Sequence, residues 1–204
     1  MPDFGSVWER ARTFEDFVAG SGSHRTLWDG IYNIARLPEW VGDVALPGPR
    51  RLLVIAEDWC GDAVNTVPIL ARLADVTPGL ELRIIERDRN PEVMDRYLTN
   101  GSRSIPIVVV LDDRFRELGH WGPRPTELQA WVMANRATMS KSELYPKVRT
   151  WYARDRGETT VREVATLAGA VIGVEQRDTG SPSTLSTSTP IPPRSCTRPA
   201  RRRS

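Results

Sequence analysis

One short run gathers most of the chemistry this sequence offers: Glu57-Asp58-Trp59-Cys60-Gly61-Asp62-Ala63. It follows the apolar stretch Leu52-Leu53-Val54-Ile55-Ala56 and opens a helical pattern. A cysteine that leaves a buried strand and starts a helix is placed for thiol chemistry. The helix N-terminus carries partial positive charge and free N–H groups, which favour thiolate over thiol. The second sulfur of a C-x-x-C redox pair would fall three residues on, and that position is Ala63. What remains is single-thiol chemistry with Cys60 as nucleophile: attack on a disulfide to give a mixed disulfide, oxidation to sulfenic acid, or capping by a small thiol. Local charge pulls the Cys60 pKa two ways. The helix start lowers it, whereas Glu57, Asp58 and Asp62 raise it by like-charge repulsion, and no basic residue is adjacent in sequence. Asp58 and Asp62 equally suit capping of the helix start, Trp59 equally suits core packing, and a lone cysteine equally suits a buried apolar site.

Little else competes. His24 and His120 are the only histidines, so a zinc site built on several histidines is excluded, and neither a metal nor a cofactor is expected. Gly20-Ser21-Gly22-Ser23-His24-Arg25 lacks the third glycine of a dinucleotide fingerprint. The formal charge of +2 over 204 residues implies no bulk electrostatic partner. Arg198 and Arg201-Arg202-Arg203 read as a solvated basic end, and nucleic acid is not an expected partner. No stretch reaches the roughly 18 apolar residues of a membrane span, and the start lacks a basic segment followed by an apolar run. The expectation is a cytoplasmic protein with reduced thiols, Cys196 being a free cysteine far from Cys60 in sequence.

The elements that must position Cys60 are legible around it. Phe14, Phe17 and Val18, then Leu27, Ile31, Ile34 and Ala35, recur at helical spacing, and Ser6 with Glu9 suggests a capping box. Pro47-Gly48-Pro49 breaks the chain before a strand at 51–56, whose unbroken apolar character suits burial on both faces of a sheet. The helix after Cys60 carries Val64, Val67, Leu70 and Leu73 on one side, holds Pro68 in its interior and stops near Thr77-Pro78-Gly79. A second strand follows at 82–85. Then comes a helix capped by Asn90 with Pro91 at its first position, running through Leu98 to Asn100-Gly101. Ile107–Leu111 and 115–121 form a hairpin about Asp112-Asp113, and Thr126 with Gln129 begins another helix. Two further helices are expected at 142–156 and from Thr160, paired with Glu163 as a cap. From about Arg177 the chain turns Ser/Thr/Pro/Arg-rich and is expected to be disordered. The first two strands should be parallel through a right-handed crossover, with the hairpin as an antiparallel edge.

This order and these motifs together resemble the thioredoxin family over 49–139. Trp59-Cys60-Gly61 resembles the start of its Trp-Cys-Gly-Pro-Cys active site, and Pro68 stands eight residues after the cysteine, where the family kinks its helix. Ile105-Pro106 precedes the third strand, where the family places a cis-proline, and Gly122 follows at the family's spacing. Glu57-Asp58-Trp59-Cys60-Gly61-Asp62 and Leu118-Gly119-His120-Trp121-Gly122-Pro123-Arg124-Pro125 are similar to a bacterial branch of poorly defined role. The resemblance implies a thioredoxin-like α/β domain with a mixed sheet of about four strands at 49–139. Helical additions would lie at 1–48 and 140–176, with a tail at 177–204. It further implies that Trp59, Gly61, Ile105 and Pro106 contact substrate, the Ile105 backbone pairing with an extended segment. The partners implied are protein or small-molecule disulfides, with a low-molecular-weight thiol as co-substrate. Three departures matter. Ala63 replaces the resolving cysteine, Asp62 the active-site proline, and Val54 a buried aspartate that moves protons. Dithiol reductase activity is therefore not carried over, which leaves monothiol exchange or a non-catalytic binding module.

Overall fold

A computed structural model describes residues 2–171. Its centre is a four-stranded mixed sheet in the order β2-β1-β3-β4, built from β1 (Arg50–Ala56), β2 (Leu80–Glu86), β3 (Ile107–Leu111) and β4 (Glu117–Trp121). β1 pairs parallel with β2, placing Val54 opposite Ile84, and antiparallel with β3, placing Val54 opposite Val108. β3 and β4 form the antiparallel edge. Residues 52–56 and all of β3 are fully buried, as unbroken apolar runs in the two central strands require.

The parallel pair is joined through α4 (Gly61–Val76), which packs against β2. Pro68 lies inside α4, so one ladder hydrogen bond is missing there. Before the sheet come α1 (Phe4–Arg10), α2 (Phe14–Ala19) and α3 (Arg25–Ile34). α3 lies along α4, and its Trp28 is fully buried, edge-on to Phe17. After the sheet come α6 (Thr126–Asn135), α7 (Lys141–Asp155) and α8 (Glu158–Leu167). α8 packs on α4 and β4. α6 and α7 share a second, smaller core of Leu128, Val132, Leu144, Val148 and Tyr152.

Several local expectations are corrected. The cap of α1 is Asp3, which accepts from the Gly5 amide at 3.0 Å and the Ser6 hydroxyl at 2.6 Å, so Ser6 is a donor inside the helix and not its cap. The helix after Asn90, α5, covers only Pro91–Met94. Beyond it the chain turns through i→i+3 bonds, and Tyr97 is drawn inward to donate to Glu117 at 2.9 Å. The Asn90 side chain does not cap it but donates to the Glu86 carbonyl. β4 begins at Glu117 and not at 115, because Phe115 takes a left-handed φ of 59° in the turn. α8 starts at Glu158 behind Gly157, whose φ is 85°, so Thr160 falls in its first turn, buried, its hydroxyl without a partner. Glu163 instead accepts from Trp121 Nε1 at 2.6 Å and the Thr126 amide at 3.0 Å. The expectation of disorder beyond Arg177, and Cys196, lie outside the described residues.

Candidate functional site

Cys60 is the N-cap of α4: its backbone is extended and its carbonyl accepts from the Val64 amide at 3.0 Å. The preceding loop is tied down from three directions. The Asp58 carbonyl accepts from Trp28 Nε1 at 3.0 Å. The Asp58 carboxylate accepts from the amides of Gly22 and Ser23 at 2.8 and 2.9 Å. Glu57 accepts from the Asp88 amide at 2.8 Å. The helical segment ahead of the sheet therefore fixes the cysteine's loop. Asp58 is not a cap of α4; its charge is spent on the turn before α3.

Cys60 is 8% exposed, and its Sγ donates to the carbonyl oxygen of Ile105 at 3.5 Å. The Ile105–Pro106 peptide is cis, and Pro106 is buried. Gly122, at the end of β4, has φ 125°, and a Cβ there would overlap the Pro106 carbonyl oxygen, so this close approach requires glycine. Cys60, Ile105, Pro106 and Gly122 thus meet at one end of the sheet. Gly61 is exposed, with open space where a side chain would be. Trp59 is not packed in the core: it is 47% exposed, with the Arg87 guanidinium 5.0 Å above its ring.

Asp62 takes a part its sequence position does not reveal. It is buried in the first turn of α4, and Arg124 grips its carboxylate with two bonds, Nε at 3.0 Å and Nη2 at 2.5 Å. Tyr152 of α7 donates to the same carboxylate at 3.0 Å, and Gln129 accepts from Arg124 at 3.0 Å. Asp62 therefore holds α7 and the segment after β4 to α4. Arg124 and Tyr152 are site residues that sequence reasoning missed. Arg124 is 64 positions from the cysteine and Tyr152 is 92, and only the fold brings them near.

Burial is the main force on the Cys60 thiol and pushes its pKa above the usual cysteine value. The Ala63 amide opposes this, the Asp62 charge adds to it, and the Asp62 amide and Arg124 oppose it. Burial likewise raises Asp62, against the pull of Arg124 and Tyr152. Tyr152 is raised by burial and by the Asp62 charge. The raised Cys60 pKa favours the protonated thiol, whose Sγ donates to the Ile105 carbonyl. Val54, fully buried in β1, supplies no proton acceptor beneath it.

A cavity of about 490 Å³ opens at Cys60, bordered by Leu27, Trp59, Gly61, Asp62, Tyr145 and others. Among the described residues Cys60 is the sole cysteine, and no cluster of three or more His, Cys, Asp or Glu residues is placed to hold a metal. No helix among them is long and apolar enough to cross a membrane.

A β1–α4–β2 unit continued by an antiparallel hairpin, with a cysteine capping α4 against a cis-proline loop, defines a thioredoxin-type domain. The chain belongs to the thioredoxin family: the model of a family described as thioredoxin matches residues 11–141. No curated protein matches it. Among solved structures it is similar to a protein of unknown function from Pseudomonas aeruginosa, with 22% identity and a TM-score of 0.67 over 83% of this chain and 98% of that one. It is also similar to an HIV epitope-scaffold, with 20% identity and a TM-score of 0.66 over 82% and 98% of the two chains. At these identities the two structures speak to the fold alone.

Proposed function

We propose that this thioredoxin-family domain performs single-cysteine thiol–disulfide exchange at Cys60. The observation that supports it is the placement of Sγ: at the start of α4, beside the Ile105–Pro106 loop, at the foot of an open cavity, with alanine at the resolving position. In the forward step the Cys60 thiolate attacks one sulfur of a disulfide RS–SR′. The S–S bond breaks, a Cys60–S–S–R bond forms, and R′S⁻ leaves and takes up a proton. A low-molecular-weight thiolate from solution then attacks the R sulfur of the mixed disulfide, leaves joined to it as a new disulfide, and returns Cys60 as thiolate. The incoming disulfide belongs to a protein or a small molecule. Trp59, Gly61 and Pro106 form the surface it meets, and the Ile105 carbonyl pairs with an extended segment once Sγ releases it.

The raised resting pKa sets the tempo, because only the thiolate reacts. Mixed-disulfide formation between the Cys196→Ser protein and a small aromatic disulfide should therefore climb with pH through and beyond the ordinary cysteine range, about 8.5. A folded protein that forms no mixed disulfide at any pH, although the unfolded chain does, would overturn the exchange reading. The second reading, a non-catalytic module docking a polypeptide on Trp59, Cys60 and Pro106, would then lead. It is favoured by the Sγ contact to Ile105, a bond that only the protonated thiol can donate.

A further inference from the structure

The Cys60 cavity does not end where a small disulfide would need it to end. A second cavity, of about 540 Å³, adjoins it, with Asn65 and Arg149 bordering both. Together they run along three helices. Leu27 of α3, Gly61 of α4 and Tyr145 of α7 border the first, and Ile34, Ile69 and Ala153 of the same three helices border the second. The groove thus starts at the N-terminal end of each helix, where Cys60 lies, and follows all three toward their C-terminal ends. From Tyr145 to Ala153 the α7 wall is about 12 Å long at the helical rise, the length of about four extended residues.

Its lining is of two kinds. Leu27, Ile34, Trp59 and Tyr145 are exposed large apolar residues, 51%, 76%, 47% and 45% accessible, all on this one groove. Single exposed apolar side chains are ordinary, but a contiguous set marks a contact surface. Arg36, Arg149 and Arg156 border the second cavity, and among the described residues their side chains have no ion-pair or hydrogen-bond partner. Arginines elsewhere are commonly engaged: Arg10 with Glu92, Arg12 with Glu86, Arg103 with Asp95. The carboxylate on the groove wall, Asp62, is already neutralised by Arg124.

We infer that this groove binds an extended polypeptide segment of a partner protein, apolar residues facing α3 and α4 and acidic residues meeting Arg149 and Arg156 on the α7 side, with Arg36, just past α3, adding positive charge to the second cavity. Alternation along an extended chain delivers side chains of two kinds to two sides of a groove. A small acidic thiol would fill the first cavity and leave the second, with two of its three arginines, unused. A basic segment is disfavoured by the same three charges. The proposal uses the exchange reading only to place the partner's sulfur, at the Cys60 end.

The test uses the full chain and a sulfur-free probe, so that docking is read apart from thiol chemistry. Fluorescein-labelled, end-blocked Ser-Leu-Glu-Ile-Glu and its charge-reversed counterpart Ser-Leu-Lys-Ile-Lys are titrated by anisotropy. The acidic peptide should bind and the lysine peptide should not. Binding should weaken at least tenfold in the Arg149→Glu/Arg156→Glu variant and in Ile34→Glu, each at exposed positions, and it should weaken with added salt. No binding of the acidic peptide, equal binding of both peptides, or binding unmoved by both variants would overturn the groove. The reaction of Cys60 with a small aromatic disulfide is followed on the same samples. An inert Cys60 with the acidic peptide bound removes the exchange reading and leaves the groove, whereas a reactive Cys60 with no peptide bound does the reverse.

Discussion

On the sheet side of Cys60, β1 and β3 bury Leu52, Leu53, Val54, Val108 and Val109 without exposure, and what holds them is apolar contact and backbone pairing. On the α7 side, five buried residues form a smaller core, and a buried charged group, Asp62 with Arg124 and Tyr152, ties it to α4. None of these first-region side chains ionises, so its packing has no titrating group of its own. The second joins α7 to α4 through one carboxylate, so its strength should vary with the protonation of Asp62. Cys60 sits at the boundary: β1 leads into its loop, the segment before the sheet ties that loop down, and Asp62 with Arg124 adjusts its acidity.

The largest expected effect lies in the first region. Leu53→Ala removes a fully buried side chain from the middle of β1 and should lower stability by about 3 kcal/mol or more in urea unfolding. The pH profile of Cys60 alkylation should not move, because none of the groups that act on the thiol is touched. A shifted profile would mean that the two regions are not separable.

Arg124→Met, in the second region, should come next. It leaves Asp62 buried without its cation, a change that costs about 3 kcal/mol at neutral pH. The sign of the pH dependence follows from the raised Asp62 pKa. A carboxyl with a higher pKa folded than unfolded gives stability that is full below its unfolded value and is lost as pH rises through its folded value. Without Arg124 that folded value rises further. The deficit of the variant should therefore be largest at neutral pH and above, and should narrow as pH falls toward the ordinary carboxylate range. Urea midpoints of both proteins across that range read it. A constant deficit would assign the loss to packing of the arginine stem and not to its charge.

The same division governs what the sequence made visible. Unbroken apolar runs announce β1 and β3, and the cysteine after β1, the interior Pro68 and Ile105-Pro106 were enough to place the thiol and the family. Those signals are local, written in neighbouring residues. The partner of Asp62 was not legible, because Asp62 and Arg124 are joined by tertiary folding across 62 positions. Read in sequence, Asp58 and Asp62 are equivalent acids two residues either side of the cysteine, both fit to cap α4, and the fold uses neither as a cap. The capping signals at Ser6 and Thr160 do not mark the helix starts either, because a better acceptor, Asp3, or an earlier start at Glu158 moves the boundary. The groove along α3, α4 and α7 had a trace in the sequence: Leu27, Ile31 and Ile34 form a stripe, but whether such a stripe is core or surface depends on what covers it.

The two acids beside Cys60 give the finest discrimination between the regions. Asp62 acts on the thiol directly: its charge is among the influences that raise the Cys60 pKa, while Arg124 pulls the other way. Asp62→Asn removes the raising charge and leaves the arginine, so the apparent pKa of Cys60 should fall and alkylation at pH 8 should quicken severalfold. Asp58 is as near in sequence, yet its carboxylate is turned to the Gly22 and Ser23 amides. Asp58→Asn should leave the alkylation profile in place and change stability by about 1 kcal/mol or less, since only two part-exposed hydrogen bonds weaken. The pair is measured together, in the Cys196→Ser background, as alkylation rate against pH. Equal shifts from both variants would mean that bulk acidity around the loop sets the thiol and that the Asp62–Arg124 contact has no special hold on it. A shift from Asp62→Asn alone ties the reactivity of Cys60 to the attachment of α7, so that whatever moves α7 also moves the chemistry.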